Sequence, residues 1–109
     1  MAHFEIFKSD KSTAYYYRLR ASNNQEIILE SEGYATKLAA MQAIDSAKST
    51  SRFDQYYELK EGIFYTFVLK AGNGETLGRS RKYMSASERD DAMILVKRDA
   101  PNAVLKDLT

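Results

Sequence analysis

The chain has 109 residues, 44% hydrophobic and 12% aromatic, enough apolar material to build the core of one ordinary domain and too much for a disordered chain. Its formal net charge is +1, so the lopsided field of a strongly basic nucleic-acid binder is missing. Without cysteine there are no disulfides, thiolate nucleophiles or cysteine metal sites, and no apolar run approaches the ~18–20 residues that span a bilayer.

The first segment, Met1-Ala2-His3-Phe4-Glu5-Ile6-Phe7, has no basic stretch followed by an apolar one. It reads as a strand, Phe4–Lys8, and not as a signal peptide, so a cytoplasmic location is expected. A second strand alternates, with Tyr15, Tyr17 and Leu19 on one face and Tyr16, Arg18 and Arg20 on the other. After a turn at Asn23-Asn24-Gln25, a third strand runs from Glu26 to Glu32. Counting back from the turn puts Arg18 across from Glu30 and Tyr16 across from Glu32; opposite charges at a facing pair favour a register by ~0.2–1 kcal/mol. Thr36 suits a helix N-cap, and Ala40, Ala43, Ile44 and Ala47 follow at i, i+3, i+4 and i+7 as one apolar stripe. Residues 49–55 form a polar linker.

The same order then repeats. Phe4–Lys8 lies over Tyr56–Lys60, Tyr15–Asn24 over Tyr65–Gly74, and Glu26–Tyr34 over Glu75–Tyr83. Ala43, Ile44, Ala47 and Lys48 fall on Ala92, Met93, Val96 and Lys97, and the length changes sit in turns. Asn73-Gly74 predicts a type I′ hairpin, because both residues tolerate positive φ. In the third strand of this copy Gly78 sits across from Leu69 and Leu77 faces outward, which points to a bulge or a covered outer face. Ser85-Ala86-Ser87-Glu88 is a capping box. The helix behind it carries Arg89 where Ala40 stood and adds Ile94 and Leu95 to its apolar face. Pro101 ends it, and residues 101–109 are left as a C-terminal tail.

A unit of about fifty residues buries little alone. The expected fold is therefore α+β: two tandem β-β-β-α repeats, residues 4–48 and 56–100, packed face to face. Together they make one pseudo-twofold symmetric domain with an antiparallel sheet and helices.

The strings Tyr17-Arg18-Leu19-Arg20-Ala21-Ser22-Asn23-Asn24-Gln25-Glu26-Ile27-Ile28-Leu29-Glu30-Ser31-Glu32-Gly33-Tyr34 and Phe67-Val68-Leu69-Lys70-Ala71-Gly72-Asn73-Gly74-Glu75 resemble the YegP-like family, small bacterial proteins of one or two such units. The resemblance implies a β-β-β-α unit paired within or between chains, and supplies no catalytic residue to carry over. The second copy departs from the pattern at Lys82, where the first has Gly33, and in its basic Arg79 and Arg81.

Few residues invite a chemical role. His3, the only histidine, is expected at a frayed terminus without partners. Ser31/Ser80 and Tyr34/Tyr83 recur at the strand-to-helix junctions, where Ser closes a strand end and Tyr packs under the helix start. Of the run Tyr15-Tyr16-Tyr17, only Tyr16 faces away from the core and is open to stacking. Arg79-Ser80-Arg81-Lys82 with Lys70 is the densest basic cluster, and Tyr83 and Phe64 stand near it as stacking candidates. Glu26, Glu30 and Glu32 are placed to pair with that cluster instead. No metal-ligand spacing and no glycine-rich phosphate loop occurs, so neither metal nor cofactor is expected. The expected function is a non-catalytic binding or interaction module, not an enzyme, working through the exposed sheet face or the cleft between copies. The alternative is a nucleic-acid binder using Lys70, Arg79, Arg81, Lys82 and Tyr83. A monomer is expected ahead of a homodimer, with strand edges or the Ile94/Leu95 face as routes to pairing.

Overall fold

The computed structural model describes residues 1–109. The alternating segments become seven strands: β1 (His3–Lys8), β2 (Tyr15–Arg20), β3 (Ile27–Glu30), β4 (Tyr57–Glu61), β5 (Tyr65–Lys70), β6 (Thr76–Arg79) and β7 (Val104–Asp107). They form one sheet in the order β4-β5-β6-β3-β2-β1-β7. Two helices, α1 (Lys37–Thr50) and α2 (Ala86–Asp99), complete the α+β fold.

The repeats join edge to edge, not face to face as expected. β3 and β6 pair antiparallel through Glu30 and Arg79, which makes the sheet continuous. Joining the two third strands satisfies an edge from each repeat. It also gives both helices a common floor: α1 packs on β1 and β2 of its own repeat and on β5 and β6 of the other, and α2 on β3 and β5. The core is consequently shared, with Phe4, Ile6, Tyr17, Leu19, Leu29, Phe67, Leu69 and Val96 all buried within it.

Arg18 faces Glu30 and Leu69 faces Gly78, as the turn counting predicts, whereas Glu32 lies beyond the end of β3. Each hairpin also carries a bulge. Leu19 faces Leu29 but Arg20 faces Ile27, leaving Ile28 as the extra residue; Leu77 is its counterpart in β6. The extra residue breaks the period-two alternation, so Leu77 turns inward and is buried, contrary to the outward placement expected. The turn at Asn73-Gly74 is not type I′ either. Only Gly74 takes a positive φ, 89°, and its N–H donates to the Ala71 carbonyl at 2.9 Å. In the first copy Gln25 takes that left-handed position, φ 62°.

The first strands align one residue away from the sequence alignment. Phe4 faces Leu19 and Tyr57 faces Leu69, so Phe4 corresponds to Tyr57 and Ile6 to Leu59. Tyr56 and Tyr57 match Phe4 equally well as side chains, and only cross-strand pairing separates them. Tyr56, read as the start of the strand, instead ends a 3-10 turn, Asp54–Tyr56, that begins in the linker, while α1 runs on to Thr50 with Ser51 buried behind it.

Residues 101–109 are more than a tail. Pro101 sits in a 3-10 turn, Ala100–Asn102, that redirects the chain along the outer edge of β1. There β7 pairs in parallel, Leu105 facing Phe4, and the Leu108 N–H donates to the Ile6 carbonyl at 2.8 Å. The sheet is thus mixed, not wholly antiparallel.

The helices start where expected, with Thr36 Oγ1 accepting from the Ala39 N–H and Ser85 Oγ from the Glu88 N–H, both at 3.1 Å. Ala40, Ala43, Ile44 and Ala47 are buried. Arg89, replacing an alanine, is buried as well, its guanidinium over the Tyr65 ring and its Nε 3.1 Å from Asp90. Leu95 joins the core, but Ile94 points to solvent and does not widen the apolar face.

Candidate functional site

With Glu30–Arg79 as its single ladder pair, the β3–β6 seam splays open toward both ends. One mouth is a groove of about 520 Å³ lined by Arg20, Arg81, Lys82 and Tyr83, with Asn24, Gln25 and Glu26 across from them. The other, about 300 Å³, is lined by Glu32, Gly33, Tyr34, Glu75 and Thr76. The pseudo-twofold carries one mouth into the other: Arg81 corresponds to Glu32, Lys82 to Gly33, Tyr83 to Tyr34 and Glu26 to Glu75. The same backbone thus frames a basic mouth and an acidic one.

Two serines shape both mouths. Ser31 Oγ accepts from the Tyr17 N–H and donates to the Glu32 carbonyl, both at 2.8 Å. Ser80 does the same for Phe67, at 2.9 Å, and Arg81, at 2.8 Å. The main chains of Tyr34 and Tyr83 then rejoin the sheet opposite Tyr15 and Tyr65. Between these anchors a three-residue loop stands out, Ser31-Glu32-Gly33 in one copy and Ser80-Arg81-Lys82 in the other. Gly33 is obligatory in the first, because a Cβ there would stand 2.9 Å from the Ala14 Cβ and 3.2 Å from the Tyr16 ring. In the second copy Thr66 stands in the place of Tyr16, and Lys82 in the place of Gly33.

The five basic-cluster residues do not form one site. Arg81, Lys82 and Tyr83 line the basic mouth, while Lys70 and Arg79 border a separate hollow of about 290 Å³ on the open sheet face, with Lys82 touching both. Two of the three expected acids pair with the cluster, Arg81 lying 2.9 Å from Glu30 and Arg79 pairing with Glu32, whereas Glu26 forms no ion pair and Lys70 instead meets Glu58 at 2.5 Å. Lys82 has no carboxylate partner; its Nζ rests 5.4 Å from the Phe64 ring centroid, over the face that a base would stack on. Tyr83 is half-buried against the core, and burial, with Glu26 nearby, raises its phenol above the ordinary value. Tyr16, the other stacking candidate, already stacks on Phe7 at 5.8 Å.

A charged cluster went unseen in the sequence. Glu5 is buried on the open face of β1, accepting from Arg18 Nε at 2.5 Å and Arg20 Nε at 2.9 Å. His3 Nε2 lies 3.0 Å from the same carboxyl, so His3 is an ordered strand residue with a partner, not a frayed terminus. Burial alone would raise the Glu5 carboxyl, but the hydrogen bonds from Arg18, His3 and Arg20 outweigh it and hold it at about 2. Arg20 also donates to the Gln25 carbonyl at 2.9 Å, which fixes its guanidinium at the rim of the basic mouth. The alternation had placed Arg18 and Arg20 on one face, and pairing β1 with β2 would have added Glu5 to them. No group of three His, Asp or Glu side chains is arranged to hold a metal ion, and no helix is long and apolar enough to cross a membrane.

Comparison with known proteins places this arrangement in a family. The model of a domain of unknown function, DUF1508, matches residues 10–58 and 64–107, so each matched unit starts near the second strand of a repeat and reaches the strand after its helix. The UPF0339 protein YegP of Yersinia pestis is 40% identical over all of this chain and 97% of its own length. A UPF0339 protein encoded in the 5′ region of the ptx operon of Stutzerimonas stutzeri is 39% identical over 92% of this chain and 90% of its own. Two solution NMR structures share the fold. A UPF0339 protein from Shewanella oneidensis has a TM-score of 0.92 at 32% identity, covering 99% of this chain and 92% of that one. The E. coli protein yegP, described as a protein of unknown function, has a TM-score of 0.91 at 34% identity, covering 99% and 93%. None of these descriptions names a reaction or a ligand. The chain belongs to the DUF1508 family, the UPF0339 or YegP-like proteins.

Proposed function

We propose that the protein is a non-catalytic binding module that takes an anionic ligand, a phosphoryl group by preference, at the basic mouth of the seam. The observation that carries this reading is the charge inversion between two mouths built on one backbone plan. A purely structural loop needs no such divergence, whereas Lys82 in place of Gly33 and Arg81 in place of Glu32 make an anion site of one mouth alone. Lys82 supplies a charge that no carboxylate neutralises, and Arg81 and Arg20 supply forked donors suited to phosphoryl oxygens. The recurrent serines are engaged by main-chain groups and the histidine by Glu5, which supports binding over nucleophilic catalysis.

The test is an NMR titration with pyrophosphate and, separately, with a short thymidine oligonucleotide. Pyrophosphate is expected to shift the amides of 24–27 and 81–83, with an affinity that falls as salt rises from about 0.05 to about 0.2 M. Arg81→Glu/Lys82→Gly, which rewrites the basic mouth in the residues of its acidic twin, is expected to abolish those shifts. Their persistence in that variant, or their absence in the wild type, overturns the reading. An oligonucleotide that moves Lys60, Lys70 and Arg79 instead moves the site to the open face and favours the nucleic-acid alternative.

A further inference from the structure

The two ends of the sheet are equivalent by pseudo-symmetry but finished differently. At one end β7 covers the outer edge of β1; at the other, β4 is the last strand and nothing covers it. Corresponding residues record the difference: Ile6 is 0% exposed and Leu59 is 49% exposed. Beside Leu59 lies a hollow of about 290 Å³ that Tyr57 and Met93 also line. Four of the twelve exposed large apolar side chains, Phe53, Leu59, Ile63 and Phe64, fall within twelve residues of chain that include this strand, and Ile63 is 91% exposed.

We propose that the bare edge of β4 is a self-pairing surface, on which two copies of this chain join their β4 strands antiparallel about a twofold axis at Leu59. The hydrogen-bond pattern allows it. In β2 and β5 the odd-numbered residues bond to the third strand of their repeat, as Tyr17 with Ser31 and Phe67 with Ser80 show. Even-numbered residues therefore bond to the first strand, Val68 facing Glu58 and Thr66 facing Lys60. By alternation the N–H and C=O groups of Tyr57, Leu59 and Glu61 point out from the edge. The equivalent Ile6 carbonyl is the one that β7 uses, through Leu108.

Centred on Leu59, this register places Leu59 against Leu59 of the second copy and Tyr57 against its Glu61. On the open face Glu58 falls opposite Lys60 of the second copy, and Lys60 opposite its Glu58. Both facing pairs are attractive, where a strand with like charges at those positions would repel itself. Glu58 would then stand between Lys70 of its own β5 and the lysine across the axis. A twofold contact closes on itself, so it removes both β4 edges without building a fibre. The contact is independent of the basic mouth, which lies at the centre of the sheet and shares none of these residues.

The experiment is sedimentation velocity on the full chain across concentration, up to about 1 mM to include weak association. The wild type is expected to pass from monomer to dimer. Glu58→Lys alone and Lys60→Glu alone each set like charges opposite each other, and each is expected to weaken the dimer about tenfold or more while amide spectra show the fold intact. Mixing the two variants restores both attractive pairs in a heterodimer, and dimer is expected to return. A wild type that stays monomeric throughout overturns the proposal. So does a dimer that both variants leave intact, which must be joined elsewhere, or a mixture that fails to recover dimer.

Discussion

Tyr17 lies in the first repeat, yet its hydroxyl donates to the carbonyl of Leu77 in the second, from a fully buried position. Leu77 is the bulge residue of β6, and the β3–β6 seam pairs only at Glu30 and Arg79, so the ladder provides this carbonyl no partner. Tyr17→Phe leaves the ring and its neighbours in place, with Phe4 edge-on at 5.7 Å and Tyr34 stacked at 6.5 Å. What it removes is one buried donor, leaving an unsatisfied carbonyl at a cost of about 1–3 kcal/mol. For a domain near this size each kcal/mol moves Tm by about 4–8 °C, so a fall of roughly 4–24 °C is expected. Thermal and urea unfolding measure it, with an unchanged m-value showing that the loss lies in stability. Tyr16→Phe, on the open face, is the control and should stay within about 0.5 kcal/mol of wild type. Burial also raises the Tyr17 phenol well above 10, so the unfolded chain ionises first. The stability from keeping it neutral is complete below pH 10 and declines as pH rises beyond that, and Tyr17→Phe should remove this part of the alkaline decline. A Tyr17→Phe protein as stable as wild type would refute the reasoning, since the Leu77 carbonyl would then not depend on that hydroxyl.

Glu5 should be the main acid-sensitive group of the open face. Its carboxyl is held at about 2 against an ordinary 4.5, so its contribution is complete above 4.5 and lost as pH falls toward 2; urea unfolding of Glu5→Gln across that window should show a flatter acid limb. Gly78→Ala would set a Cβ 2.8 Å from Leu29 Cγ and 3.2 Å from the Glu30 carbonyl, across the seam. Overpacking of this kind costs about 1–3 kcal/mol, and a double-mutant cycle with Leu29→Ala should recover part of it in the same denaturation assay. Asp99 is buried and accepts from the Ser22 N–H at 2.9 Å and from Arg98 Nε at 2.9 Å, tying the first hairpin turn to α2. Asp99→Ala should destabilise the fold by about 1–3 kcal/mol and speed amide exchange in residues 21–25 more than elsewhere.

Local physics marked the elements: alternation through Tyr15–Arg20, caps at Thr36 and Ser85, the stripe Ala40, Ala43, Ile44 and Ala47, and the duplication that relates the two copies. These signals depend on residues a few positions apart, and a sequence displays such spacings directly. The pairing of Glu30 and Glu32 with the basic strand was also within reach, because turn counting put acids and bases on the same sheet face.

The rest depended on partners distant in sequence. A bulge at Leu77 turned an outward residue inward, and a choice between Tyr56 and Tyr57 was settled only by the strand facing them. His3 looked partnerless until β1 lay beside β2 and brought Arg18 and Arg20 to Glu5. The tail became β7 because an unpaired edge of β1 was waiting at the end of the chain's path. The two mouths were likewise invisible, since each is built from the start of one repeat's third strand and the loop after the other's. Spacing along the chain marked the elements of each repeat. Exact registers and the way the repeats meet came from long-range contacts, because edge pairing and shared burial are settled by which surfaces remain unsatisfied once the local elements have formed.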